Sequence, residues 1–428
     1  MDPKNDKVSS IYIHNDVSFI ILSKLPLKSL KRFTCASKSW SLLFENPNFM
    51  KMFHEKFMSM HRSLYNDTRV FLNIKEIQPH PEDGSTLYLL CGENKVNLTC
   101  PHDYIYTHML DSGINDVLCF SDVDHEWVKL WNPATREYVS VPPSPAQVLL
   151  FNNVWFNLHG YGYDHINEDY KIIRHVKVNQ YIPNDNVDWS YLPSTPHPFW
   201  EIYSVRSNSW KRLDLVDMPI GIGRKVYLNG FCHWLTNTDS DDACMVSFDL
   251  SSEVFFTTHL PLETHLANTN RDDAYLISFV INGEVFDTPH LPLDMQDSYC
   301  ICDGWVKNRE SDPNECVKRN FDLVVLNGFV AMISYNVKTY SFHIYVLGEF
   351  QFRESWTELF IVSSFLCLDR PIGVGNKGGI FFMKDDNKLA YYDLNTETVE
   401  DLDIKEEPFC CDFAIYRLNL LPFHRKRN

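Results

Sequence analysis

A strand, turn, strand pattern recurs four times in the 428-residue chain and limits its possible folds more than any other feature. In each copy an aromatic residue is followed seven positions later by a second large apolar residue: Trp131 and Tyr138, Tyr203 and Trp210, Phe248 and Phe255, Tyr392 and Val399. Turn-forming residues lie between them. Because a two- or four-residue loop places such residues opposite each other in an antiparallel pair, each copy predicts a β-hairpin.

A glycine followed by an apolar strand precedes these hairpins at a nearly constant distance. The distance is 18 residues from Gly113 to Trp131, 18 from Gly230 to Phe248 and 17 from Gly328 to Tyr345. Tyr345 opens a fifth predicted hairpin, whose partner Trp356 follows eleven positions later. A period of about 45 residues with four strands per unit is typical of β-propeller blades. The sequence therefore predicts six or seven blades from about residue 108 onward, with an irregular β-sandwich as the alternative.

The first sixty residues follow a helical pattern instead. Val17, Ile20 and Ile21 recur at helical spacing, Leu25-Pro26 ends that helix, and Asn46-Pro47 predicts the start of another. Four short helices in about 45 residues bury too little surface to be stable alone. Their apolar stripe must therefore pack against the rest of the chain or bind a second protein, and spacing alone does not decide between these alternatives.

Charge separates the same two regions. The formal net charge is −17, but residues 14–57 carry seven Lys or Arg and three acids, which gives +4 and leaves −21 for the remainder. An acidic chain is a poor general binder of nucleic acid, because neutralising phosphates requires a basic surface. The sequence therefore predicts a basic helical module joined to an acidic β-rich body.

The segment HNDVSFIILSKLPLKSLKRFTCASKSWSLLFENPNF resembles an F-box, the motif by which adaptor proteins bind the Skp1 subunit of SCF ubiquitin ligases. Two positions depart from the family pattern: Ile13-His14 replaces the opening Leu-Pro, and Ala36 replaces a Val. The resemblance implies that seven residues lie at or beside the Skp1 contact: Leu25, Pro26, Leu30, Phe33, Cys35, Lys38 and Trp40.

The stretches LWNPATREYVSVPPSP, GYGYDHINEDYKIIRHV, WEIYSVRSNSWKRLD and VYLNGFCHWL resemble the F-box-associated domain of plant F-box proteins, which is similar to degenerate kelch repeats. The resemblance implies a mostly β protein: a tail (1–12), a helical F-box (13–58), a linker and first-blade region (59–107), a kelch-like propeller (108–415) and a basic tail (416–428).

The function that the resemblance implies is a substrate adaptor. The F-box would bind Skp1, and through it cullin and RING subunits, while the β domain binds a target protein. Ubiquitin chemistry would then belong to the partner subunits, so we expect no catalytic residue and no cofactor in this chain. A propeller scaffold outside any ligase is the alternative, and an enzyme housed in the propeller channel is a weaker one.

Candidate chemical motifs in the sequence are weak. Residues 373–378 match GxGxxG, but a strand and hairpin follow where a dinucleotide site requires a helix. Cys91 and Cys100, near His102 and His108, are spaced too widely for an ordinary zinc site. We therefore predict no metal site.

Residues that select a target should lie on long loops. Residues 179–200 carry Trp189, Tyr191 and Phe199 among prolines, and exposed aromatics on a stiff loop suit an interface. A disordered insertion is the alternative for this segment. Residues 303–320 are more highly charged and favour a solvated loop.

No apolar run is long enough for a membrane span and no signal peptide is visible. We therefore expect the protein in the cytoplasm or nucleus, with its twelve cysteines reduced.

One segment of the chain is duplicated. Residues 247–263 and 278–294 match at ten of seventeen positions with an offset of 31, which is shorter than a blade. This pattern indicates a local tandem copy whose fold the sequence leaves open.

Overall fold

A computed structural model describes most of the chain. The described residues are 15–25, 29–30, 32–33, 40, 46–59, 68–75, 86–91, 94–98, 108–115, 117–122, 125–133, 135–146, 154–178, 198–213, 218, 221–237, 243–261, 278–281, 284–287, 301–302, 305–306, 321–336, 339–349, 352, 355–363, 368–375, 378–384, 388–405 and 410–417. The chain divides into two compact units, residues 1–63 and 64–428, which we call the helical unit and the propeller unit.

The helical unit contains helix α1 (Asn15–Leu22) and helix α2 (Pro47–Ser59). Asn46 caps α2, since its side-chain Oδ1 accepts hydrogen bonds from the backbone N–H groups of Asn48 at 3.0 Å and Phe49 at 3.1 Å. Proline at the first helical position suits this start, because its missing N–H would have no partner there. Three buried phenylalanines four residues apart form the inner face of α2: Phe49, Phe53 and Phe57.

The propeller unit is built from antiparallel strands. In chain order, the strands that the structure describes are β1 (Thr68–Lys75), β2 (Thr86–Cys91), β3 (Asn94–Leu98), β4 (His108–Ile114), β5 (Val117–Ser121), β6 (Val128–Asn132), β7 (Glu137–Ser140), β8 (Val154–Asp164), β9 (Asp169–Val178), β10 (Phe199–Ser204), β11 (Ser209–Leu213), β12 (Ile222–Leu228), β13 (Phe231–Asn237), β14 (Ala243–Asp249), β15 (Val254–His259), β16 (Ser278–Ile281), β17 (Glu284–Asp287), β18 (Ile301–Cys302), β19 (Trp305–Val306), β20 (Phe321–Leu326), β21 (Phe329–Asn336), β22 (Ser341–Leu347), β23 (Trp356–Ser363), β24 (Leu368–Val374), β25 (Ile380–Lys384), β26 (Lys388–Asp393), β27 (Thr398–Lys405) and β28 (Cys410–Arg417).

Among these described strands, five four-stranded sheets each use four strands that are consecutive in the chain: β4–β7, β8–β11, β12–β15, β20–β23 and β24–β27. A further sheet joins the two ends of the unit, because the last strand, β28, pairs with β1 in the order β28-β1-β2-β3. The pairs β16–β17 and β18–β19 form separate two-stranded sheets.

The first strands of successive sheets lie beside one another in a closed cycle. Strand β4 neighbours β8, β8 neighbours β12, β12 neighbours β20, β20 neighbours β24, β24 neighbours β28, and β28 returns to β4. Such a ring of four-stranded sheets is the architecture of a β-propeller. The prediction of a mostly β propeller is thus confirmed and the β-sandwich alternative is wrong, whereas six or seven blades stays a prediction.

The hairpin registers agree with the seven-residue rule. Trp131 lies opposite Tyr138, Tyr203 opposite Trp210, Phe248 opposite Phe255 and Tyr392 opposite Val399. The fifth pairing was wrong, because Tyr345 lies opposite Glu358 while Trp356 lies opposite Leu347. A bulge after Ile344 shifts the register there, and a bulge leaves no trace in the spacing of apolar residues.

Two of the predicted glycines close tight turns between the first two strands of a sheet. Gly230 has φ +89° and follows Asn229 at +50°, and Gly328 has φ +76° and follows Asn327 at +49°. Positive φ at both central residues is the type I′ geometry that matches the twist of a hairpin. Gly113, by contrast, lies inside β4, and Asn115 with φ +45° makes the turn to β5.

The apolar core fills the spaces between neighbouring sheets. One cluster joins the β4–β7 and β8–β11 sheets through residues such as Leu130 and Ile172. A second joins the β8–β11 and β12–β15 sheets around Trp200 and Trp234. A third joins the β12–β15 and β20–β23 sheets around Met245 and Met332. Each of these sheets is therefore covered by its neighbours rather than by helices.

Candidate functional site

Helix α1 exposes an apolar face. Val17 is 47% exposed, Ile20 46% and Ile21 53%, although all three have aliphatic side chains. The opposite side of the helix is occupied, since Leu22 is buried and the Phe19 ring lies 5.7 Å from that of Phe49 in α2. Residues three and four apart share one helix face, so the three exposed side chains form a continuous patch. We call Val17, Ile20 and Ile21 the α1 patch.

The end of α1 is fixed by local hydrogen bonds. The backbone N–H of Ser23 donates to the carbonyl of Phe19 at 2.8 Å, and the Ser23 hydroxyl donates to the carbonyl of Ile20 at 3.1 Å. The N–H of Leu25 donates to the carbonyl of Leu22 at 3.0 Å. These bonds satisfy carbonyls that a helix end would otherwise leave unpaired. Exposed Lys24 follows the patch directly and adds a positive charge beside it.

The predicted Skp1-binding residues that the structure describes differ in exposure. Phe33 is 39% exposed, and its ring lies 5.6 Å from the ring of half-buried Trp40. Leu25 is also half-buried. Leu30 is 0% exposed, so its side chain supports the fold and offers no surface to a partner. Pro26, Cys35 and Lys38 lie outside the described residues.

The α1 patch is the feature that sequence reasoning missed. Its spacing was visible and predicted a helix, but spacing cannot tell which face of a short amphipathic helix packs inward. The structure shows which face packs inward. Leu22 is buried and Phe19 packs on Phe49, and these two residues directly flank Ile20 and Ile21, which face outward.

One predicted target-binding residue is buried in the propeller. Phe199 is 8% exposed and begins strand β10, opposite Val176 of β9. The Arg212 guanidinium lies 4.2 Å from the centre of its ring. The prediction of an exposed aromatic is therefore wrong for Phe199, because this residue belongs to strand β10 and its side chain packs into the propeller. Trp189 and Tyr191 lie outside the described residues.

The candidate chemical motifs have structural roles or fall outside the description. Gly373 lies near the end of strand β24, and the N–H of Gly375 donates to the carbonyl of Gly379 at 2.7 Å in the turn to β25. The GxGxxG match is thus a strand-to-strand turn, as predicted. Cys91 lies in β2 and His108 in β4, while Cys100 and His102 are not described. Within the described residues no group of three potential metal ligands comes together.

A buried ion pair ties strands β9 and β10 together. Arg174 Nε donates to Glu201 Oε1 at 2.6 Å, and Arg174 Nη1 donates to the carbonyl of His125 at 3.1 Å. The guanidinium is sandwiched between the rings of Phe156 and Trp210, at 3.9 and 4.0 Å from their centres. Burial raises the pKa of Glu201 and lowers that of Arg174, and each partner's charge opposes the other's shift. The pair is a packing element of the β8–β11 sheet.

A second polar cluster joins two neighbouring sheets. Asp164 and Lys171 of the β8–β11 sheet form an ion pair at 2.9 Å, and Lys171 Nζ also donates to the carbonyl of Leu250 at 2.7 Å. The Ser251 hydroxyl donates to Asp164 at 2.7 Å. Burial alone would raise the pKa of Asp164, but hydrogen bonds from Asn167, Ser251 and Lys171 lower it well below its usual value. This cluster stabilises the contact between the two sheets.

Among the described residues of the propeller, three histidines are buried: His159, His175 and His233. Burial lowers their pKa values, to about 4 for His175 and about 3 for His233, and well below the ordinary value for His159. His159 packs edge-on against the rings of Trp200 and Trp234 and accepts a hydrogen bond from the Gly221 N–H at 2.8 Å. These neutral, packed side chains are part of the core.

Among the helices that the structure describes, none is long and apolar enough to cross a membrane.

Comparison with known proteins finds a family model that matches part of the propeller unit. Residues 93–286 match the family model described as the F-box associated beta propeller domain. An F-box/kelch-repeat protein of Arabidopsis thaliana is 24% identical over 254 residues, which cover 56% of each chain. An F-box protein of the same plant is 26% identical over 271 residues, covering 60% of this chain and 58% of the relative.

The chain thus spans little more than half the length of these curated relatives. Among solved structures, TolB from Acinetobacter baumannii matches with a TM-score of 0.45 and 8% identity, over 86% of this chain and 73% of TolB.

Proposed function

We propose that the chain, which is similar to plant F-box proteins with an F-box-associated β-propeller domain, is a substrate adaptor of an SCF ubiquitin ligase. In this proposal the helical unit binds a Skp1-type protein, which brings in the cullin and RING subunits. The propeller unit binds a target protein for ubiquitination. The chain itself takes no catalytic role, uses no cofactor and acts in the cytoplasm or nucleus.

The α1 patch is the observation that supports this proposal most strongly. Three aliphatic side chains on two turns of one helix are about half exposed. A contiguous apolar patch on so small a unit favours a protein partner, whereas isolated exposed aliphatic residues need no explanation. The positive charge of residues 14–57 adds attraction to an acidic partner.

The residues carried over from the F-box resemblance take different roles in the proposal. Phe33 and Trp40, whose rings touch, would extend the α1 patch as aromatic anchors. Leu25, Pro26, Cys35 and Lys38 would lie at or beside the contact. Leu30 would hold the anchors in place from the interior.

In this proposal, loops of the propeller unit bind the target protein. A rigid propeller presents loops at its two ends, and Trp189 and Tyr191 in the long segment between β9 and β10 are the proposed anchors for a target. We further propose that the sheet joining both chain ends counts as a blade, which gives six.

A binding measurement with a purified Skp1-type protein tests the proposal. Ile20→Asp combined with Ile21→Asp should weaken binding roughly 100-fold or more, because each change places a charge where apolar area is buried. Ile166→Asp is the matched control, since Ile166 is 80% exposed on a propeller turn and should tolerate the change without loss of binding. Leu30→Asp is unsuitable, because it would bury a charge inside the unit.

The alternative function is a propeller scaffold outside any ligase. It predicts no measurable Skp1 binding by the unmodified protein. Equal binding by the unmodified protein and by the Ile20→Asp/Ile21→Asp variant, with unchanged circular dichroism, would instead contradict the α1 patch as the contact.

A further inference from the structure

A duplicated hairpin in the propeller unit is not explained by the adaptor role. Residues 247–263 and 278–294 are identical at ten of seventeen positions. The first copy provides the end of strand β14, the turn after it and strand β15 at the outer edge of the β12–β15 sheet. The second copy forms β16 and β17, which pair only with each other among the strands that the structure describes. A two-stranded hairpin by itself is marginally stable in water, and the sequence of the second copy suits a larger sheet.

The two copies share one pairing register. Phe248 lies opposite Phe255 in the first copy, and Phe279 lies opposite Phe286 in the second. The first hairpin turns through residues 250–253, whereas in the second the paired residues Ile281 and Glu284 are separated in sequence by Asn282-Gly283, a dipeptide that favours a two-residue turn. The backbone of the second copy can therefore present the same residues at the same positions.

The second copy keeps the residues by which the first copy packs into the sheet. The Ser247 hydroxyl is hydrogen-bonded to His233 Nδ1 at 2.8 Å, and Phe248 is fully buried against the Phe255 ring, 4.6 Å away. Leu260 is buried at the end of the hairpin. The corresponding residues of the second copy are identical: Ser278, Phe279, Phe286 and Leu291.

Three departures explain why the first copy occupies the sheet. Tyr275 would replace buried Cys244 and overpack the core, and Asp287 would replace Phe256. Pro289 would replace Thr258 and remove a backbone N–H donor. An edge strand such as β15 tolerates this loss better than a central strand. If the second copy paired with β13, the connection from β13 would also lengthen from residues 238–242 to 238–273. The entropy cost of closing this longer loop lowers the population of that arrangement by about 20-fold.

We propose that the second copy replaces β14–β15 beside β13 in a minor state of the protein. The exchange leaves every sheet strand paired and extrudes residues 238–273 as a loop. It gives the β12–β15 sheet two alternative outer hairpins of related sequence, and hence two alternative surfaces. This inference does not depend on Skp1 binding.

A native cysteine provides the first test. Cys232 of β13 lies directly opposite Phe248, so Phe279→Cys would bring a thiol opposite Cys232 in the exchanged state. Mild oxidation of the full-length variant should yield a disulfide between Cys232 and the thiol introduced at position 279, identified by peptide mass spectrometry. Val280→Cys is the matched control, because adjacent strand residues point to opposite faces and this variant should give no link to Cys232.

Thermal stability provides the deciding test. Phe279→Ala should leave the melting temperature of the otherwise unmodified protein unchanged, because the second copy is not in the sheet. In a Phe248→Ala background the second copy should replace the weakened first one, so adding Phe279→Ala should lower the melting temperature by several degrees. An equal, negligible effect of Phe279→Ala in both backgrounds would overturn the proposal.

Discussion

The helical unit and the propeller unit expose apolar side chains in different ways. In α1, three aliphatic residues within five positions form one patch. Among the propeller residues that the structure describes, the exposed large apolar side chains are scattered over separate turns and strands: Tyr138, Ile166, Val254, Tyr340, Phe352 and Ile361. Scattered exposed residues are normal on soluble surfaces, whereas a contiguous patch marks a contact.

This difference indicates that the two units bury their apolar side chains in different ways. Neighbouring propeller sheets cover one another, with large side chains such as Trp200, Trp234 and Phe248 fully buried between sheets. The helical unit is too small to cover its own apolar surface. In the proposed adaptor, the propeller serves as the scaffold and a partner protein completes the helical unit.

The largest stability effect should come from the propeller core. Trp234 is fully buried and stacks on Trp200 with ring centres 5.5 Å apart. Trp234→Ala should lower the free energy of unfolding by about 3–5 kcal/mol, because it removes a large buried side chain and leaves a cavity. Chemical denaturation followed by circular dichroism measures this loss.

The matched change in the helical unit sharpens the comparison. Ile20→Ala removes an apolar side chain that is about half exposed, and should cost less than about 1 kcal/mol. A cost for Ile20→Ala that equals the cost for Trp234→Ala would show that α1 is packed as tightly as the propeller, and the contrast between the units would fail.

Acid should destabilise the propeller through its buried histidines. His175 and His233 have pKa values lowered to about 4 and about 3, so the unfolded chain binds protons first as pH falls below about 6.5. Their contribution is fully present above that pH and decreases as pH falls toward the folded-state values. At about pH 5.5 each should cost roughly 1.4 kcal/mol relative to pH 7.5.

Melting temperatures measured between pH 7.5 and pH 5 check this expectation. A propeller whose melting temperature does not change over this range would show that the two histidines are accessible to solvent protons in the folded state.

The smallest effect concerns the hairpin turns. Glu397 precedes strand β27 with φ +56°, a left-handed conformation that costs energy for residues with a Cβ. Glu397→Gly should therefore stabilise the propeller by about 0.5–1 kcal/mol. Glu400→Gly within β27 is the control and should destabilise by a similar amount, because glycine weakens a strand interior. A loss of stability in both variants would contradict the turn assignment.

The hairpins could be predicted from sequence because their information is local. The seven-residue spacing fixes which residues oppose each other, and the pairs from Trp131–Tyr138 to Tyr392–Val399 follow it. The Tyr345 hairpin does not, because the bulge after Ile344 is set by packing and not by the order of polar and apolar residues.

The binding surface was harder to predict because burial is not local. Leu30 and Ile20 have similar side chains in the same short unit, yet Leu30 is fully buried and Ile20 is half exposed. Ile20 faces outward because its neighbour Phe19 packs on Phe49, and this contact lies between helices distant in sequence. Phe199 illustrates the same limit, since the start of strand β10 decided its burial.

Hydrogen exchange of the full-length protein, with and without a purified Skp1-type protein, tests the division between the units most directly. The partner should slow exchange in residues 15–22 and leave exchange in the propeller strands β4–β15 unchanged. Slower exchange in those propeller strands, with none in α1, would contradict the assignment of partner binding to the helical unit.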